Sequence, residues 1–222
     1  LIHRLDLETE LRHAIDRDQL SIYFQPEIDL QRNRINAAEA LLRWHHPRLG
    51  AVSPTEFIPL AEESGLILEI GRWVMRSALE YGARWNREFP DLDLTISVNL
   101  SVRQYLHLGI VEEIAKIIEE TTIPANRVRL EITETILMDE KTASRSVLDR
   151  LDDLNVQLAI DDFGSGYSNL GYLKWLPVES LKIDQIFTRA LDEDPHDLAI
   201  VRAITDGGAV PGRDERETVA DR

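Results

Sequence analysis

The sequence contains no cysteine, and this absence excludes two kinds of site. Disulfide bonds cannot form, and no metal ion can be held by thiolate ligands. A chain without cysteine fits the reducing cytoplasm, which is the location that we expect. Membrane anchoring of a longer parent protein is left open.

The sequence also lacks an apolar run long enough to cross a bilayer, and no signal peptide is visible. Basic residues are scarce: 25 Lys and Arg stand against 40 Asp and Glu, and the formal net charge is -15. Such a charge repels nucleic acid duplexes and anionic membranes at long range. A small anionic substrate stays compatible with it if metal ions or local basic groups reverse the field in a cleft.

Apolar periodicity divides the 222 residues into helices and strands, with no repeat or low-complexity segment between them. A helical pattern at Leu5, Leu7, Leu11 and Ile15 predicts a linker helix from residue 1 to about residue 18. Six strands are predicted at 20–26, 35–44, 94–99, 128–133, 157–161 and 181–184. Helical patterns separate the strands after the first pair, with a short helix predicted around residues 170–175, and the last helix is predicted to open at Asp194-Pro195.

This alternation predicts an α/β fold in which helices cover a mainly parallel sheet. A (β/α) barrel, which usually takes about 250 residues, is the favoured architecture. An open doubly wound sheet is the alternative, although the sequence has no Gly-rich phosphate loop after its first strand.

One buried strand ends in two adjacent carboxylates, Asp161 and Asp162, and a loop with two glycines follows. A buried carboxylate needs a partner, and paired aspartates often find it in a metal ion. For this stretch taken alone, a solvated Asp-Asp turn is an equally good interpretation.

Five strands carry a polar residue near their C-terminal ends: Glu39, Asn99, Glu131, Asp161 and Lys182. In a barrel these ends meet at one mouth, where active sites are built. The oxygen-bearing side chains suit Mg²⁺ or Mn²⁺ rather than Zn²⁺, and two such ions about 3.5–4 Å apart would clamp a phosphoryl centre. Lys182 would stabilise negative charge or hold the attacking water; a buried salt bridge with Glu131 or an aspartate is the alternative.

Three further polar residues are weaker candidates. Gln25 and Arg43 could bind phosphate or base edges, although a salt bridge at the rim would explain Arg43 equally well. Glu134 is interpreted as a carboxylate that anchors the loop at residues 164–166. Two histidines of a Pro- and Gly-containing turn are expected to be solvated rather than ligands: His45 and His46.

Six motifs in order resemble the EAL domain family of bacterial cyclic di-GMP phosphodiesterases, from about residue 8 to Ile204. The motifs are Gln25-Pro26, Glu39-Ala40-Leu41, Val98-Asn99-Leu100-Ser101, Leu130-Glu131-Ile132-Thr133-Glu134, Asp161-Asp162-Phe163-Gly164-Ser165-Gly166-Tyr167-Ser168 and Leu181-Lys182-Ile183-Asp184.

The resemblance implies a TIM-like barrel with an antiparallel first strand, two Mg²⁺ or Mn²⁺ ions, and hydrolysis of cyclic di-GMP to linear pGpG. By match to the family, the metal ligands are Glu39, Asn99, Glu131, Asp161 and Asp162. The catalytic residues are Lys182, Glu39, Asp161 and Asp162. The substrate contacts are Gln25, Arg43 and Asp184. The loop anchor is Glu134.

The sequence departs from the family after Ile204, where Gly, Pro and charged residues replace two further strands of the family's barrel. We therefore expect a linker helix over residues 1–18, an EAL domain over 19–204 and a divergent, disordered tail over 205–222. The barrel would then lack its last two strands.

That departure leaves a second function open beside hydrolysis. The alternative is a catalytically impaired module that binds cyclic di-GMP or another protein. The expected partners are cyclic di-GMP, a homodimer partner that supplies the missing edge, and an upstream GGDEF or sensory domain in the parent protein.

Overall fold

The structure is a computed structural model that describes residues 2–137, 142–164, 176–189, 195–207 and 217–220. Its chain forms two compact units, Leu1–Arg129 and Leu130–Arg222. No helix in the described part of the chain is long and apolar enough to cross a membrane.

The first unit combines a hairpin, a parallel strand and the helices that pack on them. Its elements are α1 (Ile2–Arg12), β1 (Leu20–Asp29), β2 (Arg34–His46), β3 (Gly50–Val52), α2 (Pro54–Ser64), α3 (Ile67–Glu88), β4 (Thr95–Asn99), α4 (Val102–Tyr105), α5 (Ile110–Thr121) and the start of β5 (Val128–Thr133). Strand β1 is antiparallel to β2, and β4 is parallel to β2. The predicted antiparallel first strand is therefore confirmed.

The second unit continues β5 and adds parallel strands with intervening helices. Its other elements are α6 (Glu134–Leu137), α7 (Thr142–Asp153), β6 (Gln157–Phe163), β7 (Ser180–Ile183), α8 (Pro195–Gly207) and β8 (Glu217–Ala220). The strands follow one another in the order β5-β6-β7-β8, and β7 is parallel to both β6 and β8. Each of the six predicted strands is present, as expected for an α/β fold.

Aromatic packing fixes which face of β1 is covered by helix α3. Phe24 meets Tyr81 and Trp85 of α3, with ring centroids 5.5 Å and 4.6 Å apart. Because side chains alternate along a strand, Tyr23, Gln25 and Glu27 share the opposite face. The register of the hairpin then sets Gln25 opposite Glu39.

The turn of this hairpin is closed by Asp29. Its Oδ1 accepts hydrogen bonds from the backbone N–H groups of Gln31 and Arg32, each at 2.9 Å, and its Oδ2 accepts from the Arg32 guanidinium. The backbone bond from Arg32 is the main reason that the pKa of Asp29 lies below its ordinary value. Asn33 supplies a left-handed residue, φ 48°, which asparagine tolerates. This local chemistry fixes the register that aligns β1 with β2.

A buried ion pair crosses the first unit. Arg129 Nη1 lies 2.7 Å from Glu27 Oε2, and their side chains are only 6% and 11% exposed. The hydroxyl of Ser97, a fully buried residue, donates to Glu27 Oε1 at 3.3 Å. This pair was not predicted, because its partners are 102 residues apart in the sequence.

Several described segments differ from the expectations. Helix α1 ends at Arg12 rather than near residue 18, and α8 continues to Gly207, into the tail that was expected to be disordered from residue 205. Within the expected disordered tail, Glu217–Ala220 pairs as β8 with β7, because an additional strand satisfies the backbone groups at the edge of β7. The short helix predicted around residues 170–175 lies outside the described residues.

His46 is another correction. We expected it to be solvated, but it is 4% exposed, and its Nδ1 accepts the backbone N–H groups of Arg48 and Leu49. It thus stabilises the turn between β2 and β3, whereas His45 is exposed as expected.

Candidate functional site

Two predicted metal ligands are in direct contact in the first unit. Asn99, at the end of β4, donates from Nδ2 to Glu39 Oε1 at 2.7 Å. Glu39 lies in the middle of β2 rather than near its end, because β2 continues to His46. Its carboxylate is buried, whereas Asn99 is exposed. The parallel register, with Glu39 opposite Ser97, brings these side chains together.

The predicted substrate contacts of the first unit lie on the same strand face as Glu39. Gln25 is the register partner of Glu39 and is half-buried. Arg43, four residues along β2, donates from Nη1 to the carbonyl oxygen of Leu42 at 2.9 Å. Its guanidinium carbon lies 5.7 Å from the centroid of the Tyr23 ring.

A buried ammonium group organises the second unit. Lys182 Nζ on β7 lies 2.7 Å from Glu131 Oε2 on β5 and 3.5 Å from Asp161 Oδ1 on β6. The side chains of Lys182 and Glu131 are 4% and 0% exposed, whereas that of Asp161 is 18% exposed. The salt bridge left open by the sequence is therefore present, and Asp161 lies at its more exposed end.

Asp161 and Asp162 lie in a β-bulge of β6. Ile160 pairs with Leu181 and Phe163 pairs with Ile183, so three steps along β6 match two along β7. Asp162 takes up the extra residue with φ 53°, in the left-handed region. Such a bulge redirects side chains locally, so the alternation expected of a regular strand does not hold here. Asp162 is exposed, whereas Asp161 is half-buried.

Glu134 contacts the loop that follows β6. Its Oε2 accepts a hydrogen bond from the backbone N–H of Gly164 at 3.4 Å, and Glu134 itself is buried. This contact agrees with the predicted anchoring of the loop, of which residues 165 and 166 lie outside the described residues. Asp184, predicted to contact substrate, accepts the backbone N–H of Ile186 at Oδ1 in the turn after β7.

We expect Gly164→Ala to lower the free energy of unfolding by about 2 kcal/mol, since φ is 99° and an added Cβ would lie 2.9 Å from Phe187 Cε2. Gly50→Ala is the matched control, because Gly50 has φ 75° but no atom within 4 Å of the added Cβ. Urea denaturation of both variants separates backbone strain from the contact with Phe187. Equal losses in the two variants would exclude a contribution from Phe187.

The oxygen chemistry of these residues fits a hard divalent cation. In the second unit, two carboxylates already converge on the positive charge of Lys182. In the first unit, a buried carboxylate touches an amide. Carboxylate and amide oxygens are the ligands that Mg²⁺ and Mn²⁺ prefer. Among the residues that the structure describes, however, no three His, Asp or Glu side chains form a group that could hold a metal ion.

A comparison with models of protein families identifies the family of this chain. The model of the EAL domain matches residues 8–209. The chain belongs to the EAL domain family. The match includes every residue that the sequence analysis assigned to the site.

Curated relatives of this EAL chain carry names that describe cyclic di-GMP chemistry. The bifunctional diguanylate cyclase/cyclic di-GMP phosphodiesterase MucR of Pseudomonas aeruginosa is 40% identical over 201 residues, which are 90% of this chain and 29% of MucR. The cyclic di-GMP phosphodiesterase PdeR of Escherichia coli is 36% identical over 198 residues, 89% of this chain and 30% of PdeR. The chain thus spans less than a third of the length of these two relatives.

Solved structures agree with this EAL fold. The MucR phosphodiesterase from a c-di-GMP complex superposes with a TM-score of 0.87 at 40% identity, covering 91% of this chain and 82% of that one. The EAL enzyme Bd1971 in its cGMP-bound form superposes with a TM-score of 0.88 at 31% identity, covering 99% of this chain and 60% of that one. These matches confirm the TIM-like α/β fold class.

The sequence analysis overlooked three polar or aromatic residues of the EAL chain: Tyr23, Glu27 and Arg129. Strand alternation through Gln25 could have placed Tyr23 and Glu27 on one face. No local pattern indicates that Arg129 pairs with Glu27, since that contact depends on tertiary structure.

Proposed function

We propose that this EAL chain is a phosphodiesterase that uses Mg²⁺ or Mn²⁺ to hydrolyse cyclic di-GMP to linear pGpG. The observation that carries the proposal is the buried Lys182 ammonium held by Glu131 and Asp161, at positions that match the family's catalytic motifs. Relatives named as cyclic di-GMP phosphodiesterases support the choice of substrate.

In this proposal the metal ligands are Glu39 and Asn99 of the first unit and Glu131, Asp161 and Asp162 of the second. Bound divalent ions supply activation of the attacking water and neutralisation of charge on the phosphodiester. The bulge supports a shared site for Asp161 and Asp162, because it removes the alternation that would send adjacent side chains to opposite faces of a regular strand.

The role proposed for Lys182 is to orient the attacking water. Its ammonium has three N–H donors, and Glu131 holds it at 2.7 Å while Asp161 lies at 3.5 Å. The greater exposure of Asp161 favours access of water at that end of the group. A fixed donor that faces developing negative charge stabilises the transition state without reorganisation.

The remaining predicted residues bind substrate or position the loop. We assign Gln25, Arg43 and Asp184 to substrate binding, and Glu134 to anchoring the loop through the N–H of Gly164. Arg43 supplies positive charge that an anionic ligand needs in a chain of net charge -15.

The partners of the longer protein are also proposals. The name of MucR, a bifunctional diguanylate cyclase and phosphodiesterase, supports a diguanylate cyclase (GGDEF) or sensory domain joined to α1. A homodimer is proposed as the working form, in the cytoplasm or at a membrane to which the parent protein is anchored.

The test of function is conversion of cyclic di-GMP to pGpG by the purified chain, followed by chromatography with Mg²⁺, with Mn²⁺ and with chelator. We expect turnover with either ion and none with chelator. Binding of cyclic di-GMP without turnover would instead support the alternative, a receptor module.

Asp161→Asn should weaken Mg²⁺ or Mn²⁺ binding by at least about tenfold, because an anionic ligand becomes a neutral one. Titration calorimetry of the metal alone measures this change independently of activity. Asp153→Asn is the matched control, since Asp153 is an exposed aspartate of α7 in the same unit. Unchanged affinity in Asp161→Asn would remove Asp161 from the ligand set.

A further inference from the structure

An exposed aromatic ring lies on the strand face that carries Gln25 and Glu39. Tyr23 is 53% exposed, although large aromatic side chains are usually largely buried. The packing of Phe24 against α3 leaves Tyr23 on the other face of β1. Tyr23 stands opposite Leu41 in the hairpin, two pairs beyond Gln25 and Glu39 and on the same face.

Two further planar groups flank this ring. The Arg43 guanidinium carbon lies 5.7 Å from the Tyr23 centroid, within the range of a cation–π contact. The ring of His45 lies 6.1 Å from Tyr23 and is tilted by 30° from its plane. The hydroxyl of Ser21 contacts His45 Nδ1 at 3.4 Å. We call Tyr23, Arg43 and His45 the Tyr23 cluster.

The chemistry of the Tyr23 cluster fits a purine base attached to a phosphate. An exposed aromatic face stacks on any base, and stacking is worth about 1–3 kcal/mol per base. An arginine beside it can contact a phosphate or the O6 and N7 atoms of guanine. One residue lies between Tyr23 and Gln25, so two steps of β1 set them about 7 Å apart, a distance on the scale of one nucleoside.

We propose that Tyr23 is a specificity-determining residue whose ring stacks on one guanine base of the ligand. Arg43 of β2 contacts this ring and holds it in place. This inference rests on the proposed function, because it takes cyclic di-GMP as the ligand. It adds a base-binding position that Gln25, Arg43 and Asp184 do not provide, since none of them has an aromatic face.

The test separates loss of the aromatic ring from loss of the hydroxyl. Tyr23→Leu should raise KM for cyclic di-GMP about tenfold with kcat within about twofold, because stacking contributes equally to binding of substrate and transition state. Tyr23→Phe should keep KM within about twofold of the wild-type value. Calorimetry of cyclic di-GMP binding in chelator, where turnover is absent, should give the same order of affinities.

Tyr81→Leu is the matched control. Tyr81 is also an exposed tyrosine, 40% exposed, and Arg84 lies over its ring at 4.7 Å, but it belongs to α3 on the opposite face of β1. We expect its KM to equal that of the wild type. Thermal melts of all variants detect any loss of folding.

Two results would overturn the inference while the proposed function stands. One is a wild-type KM in Tyr23→Leu, and the other is an equal rise of KM in Tyr81→Leu. A wild-type chain that neither binds nor hydrolyses cyclic di-GMP would overturn the proposed function and this inference with it.

Discussion

Lys182→Met should lower kcat for cyclic di-GMP hydrolysis by about a hundred- to a thousandfold, the usual loss when one donor to a transition state is removed. Methionine keeps an unbranched, flexible stem in the buried position and removes the charge. The substitution also leaves Glu131 without the ammonium 2.7 Å from its Oε2. We therefore expect a loss of stability of about 3–5 kcal/mol as well.

The charge-conserving variant Lys182→Arg separates these two effects. Its guanidinium retains the positive charge beside Glu131, so most of the stability should return. The planar guanidinium cannot place its N–H donors at the position of the lysine ammonium, so kcat should stay at least about tenfold below the wild-type value. Urea denaturation and initial rates measure the two quantities on the same preparations.

Lys116→Met provides the control, because Lys116 is an exposed lysine of α5, with a side chain that is 71% exposed. It should change neither quantity. Full activity in Lys182→Arg would show that positive charge alone suffices. A Lys182→Met chain with wild-type kcat would reduce the role of Lys182 to the buried salt bridge.

Arg129→Met should lower the free energy of unfolding by about 3–5 kcal/mol, because it leaves the Glu27 carboxylate buried without its partner at 2.7 Å. The double variant Glu27→Gln with Arg129→Met should recover most of this loss. The neutral amide removes the buried charge and still offers Ser97 an acceptor in place of Glu27 Oε1. Urea denaturation of the single variants and the double variant completes the thermodynamic cycle.

An exposed ion pair of similar length is the matched control. Arg72 donates twice to Glu113, both at 2.9 Å, with side chains 49% and 23% exposed. The hydrogen bond to Glu113 raises the pKa of Arg72. Arg72→Met should nevertheless cost less than about 1 kcal/mol, since water solvates both groups. Equal losses in Arg72→Met and Arg129→Met would show that burial does not govern the Glu27–Arg129 pair.

Lowering the pH should remove the stabilisation that the Asp29 carboxylate gives to the hairpin turn. The folded state lowers the pKa of Asp29 through the N–H of Arg32. The stabilisation is therefore complete above the unfolded pKa of about 3.9 and is lost as pH falls through the folded value. Asp29→Ala removes this contribution, and the difference in stability between wild type and variant should shrink as pH falls below about 4.

The sequence by itself determined the chemical types of the candidate site residues and most of the helices and strands. The β-forming residues of β1, the helical periodicity of α3 and the apolar runs of β5 and β6 are local properties, so they can be read without knowledge of the tertiary structure. The type of each candidate ligand is equally local. Oxygen ligands, one lysine and no cysteine restricted the site to hard-cation chemistry before any contact was known.

Tertiary structure decided which side chains meet. Glu27 pairs with Arg129 across 102 residues, and Lys182 reaches Glu131 across 51. Such pairs depend on strand order and register, which local propensity does not specify. The bulge at Asp162 likewise depends on how β6 pairs with β7, and the exposure of Tyr23 depends on α3 covering the other face of β1. Contacts between distant residues arise only when the sheet assembles, and its pairing therefore sets the geometry that the sequence could not.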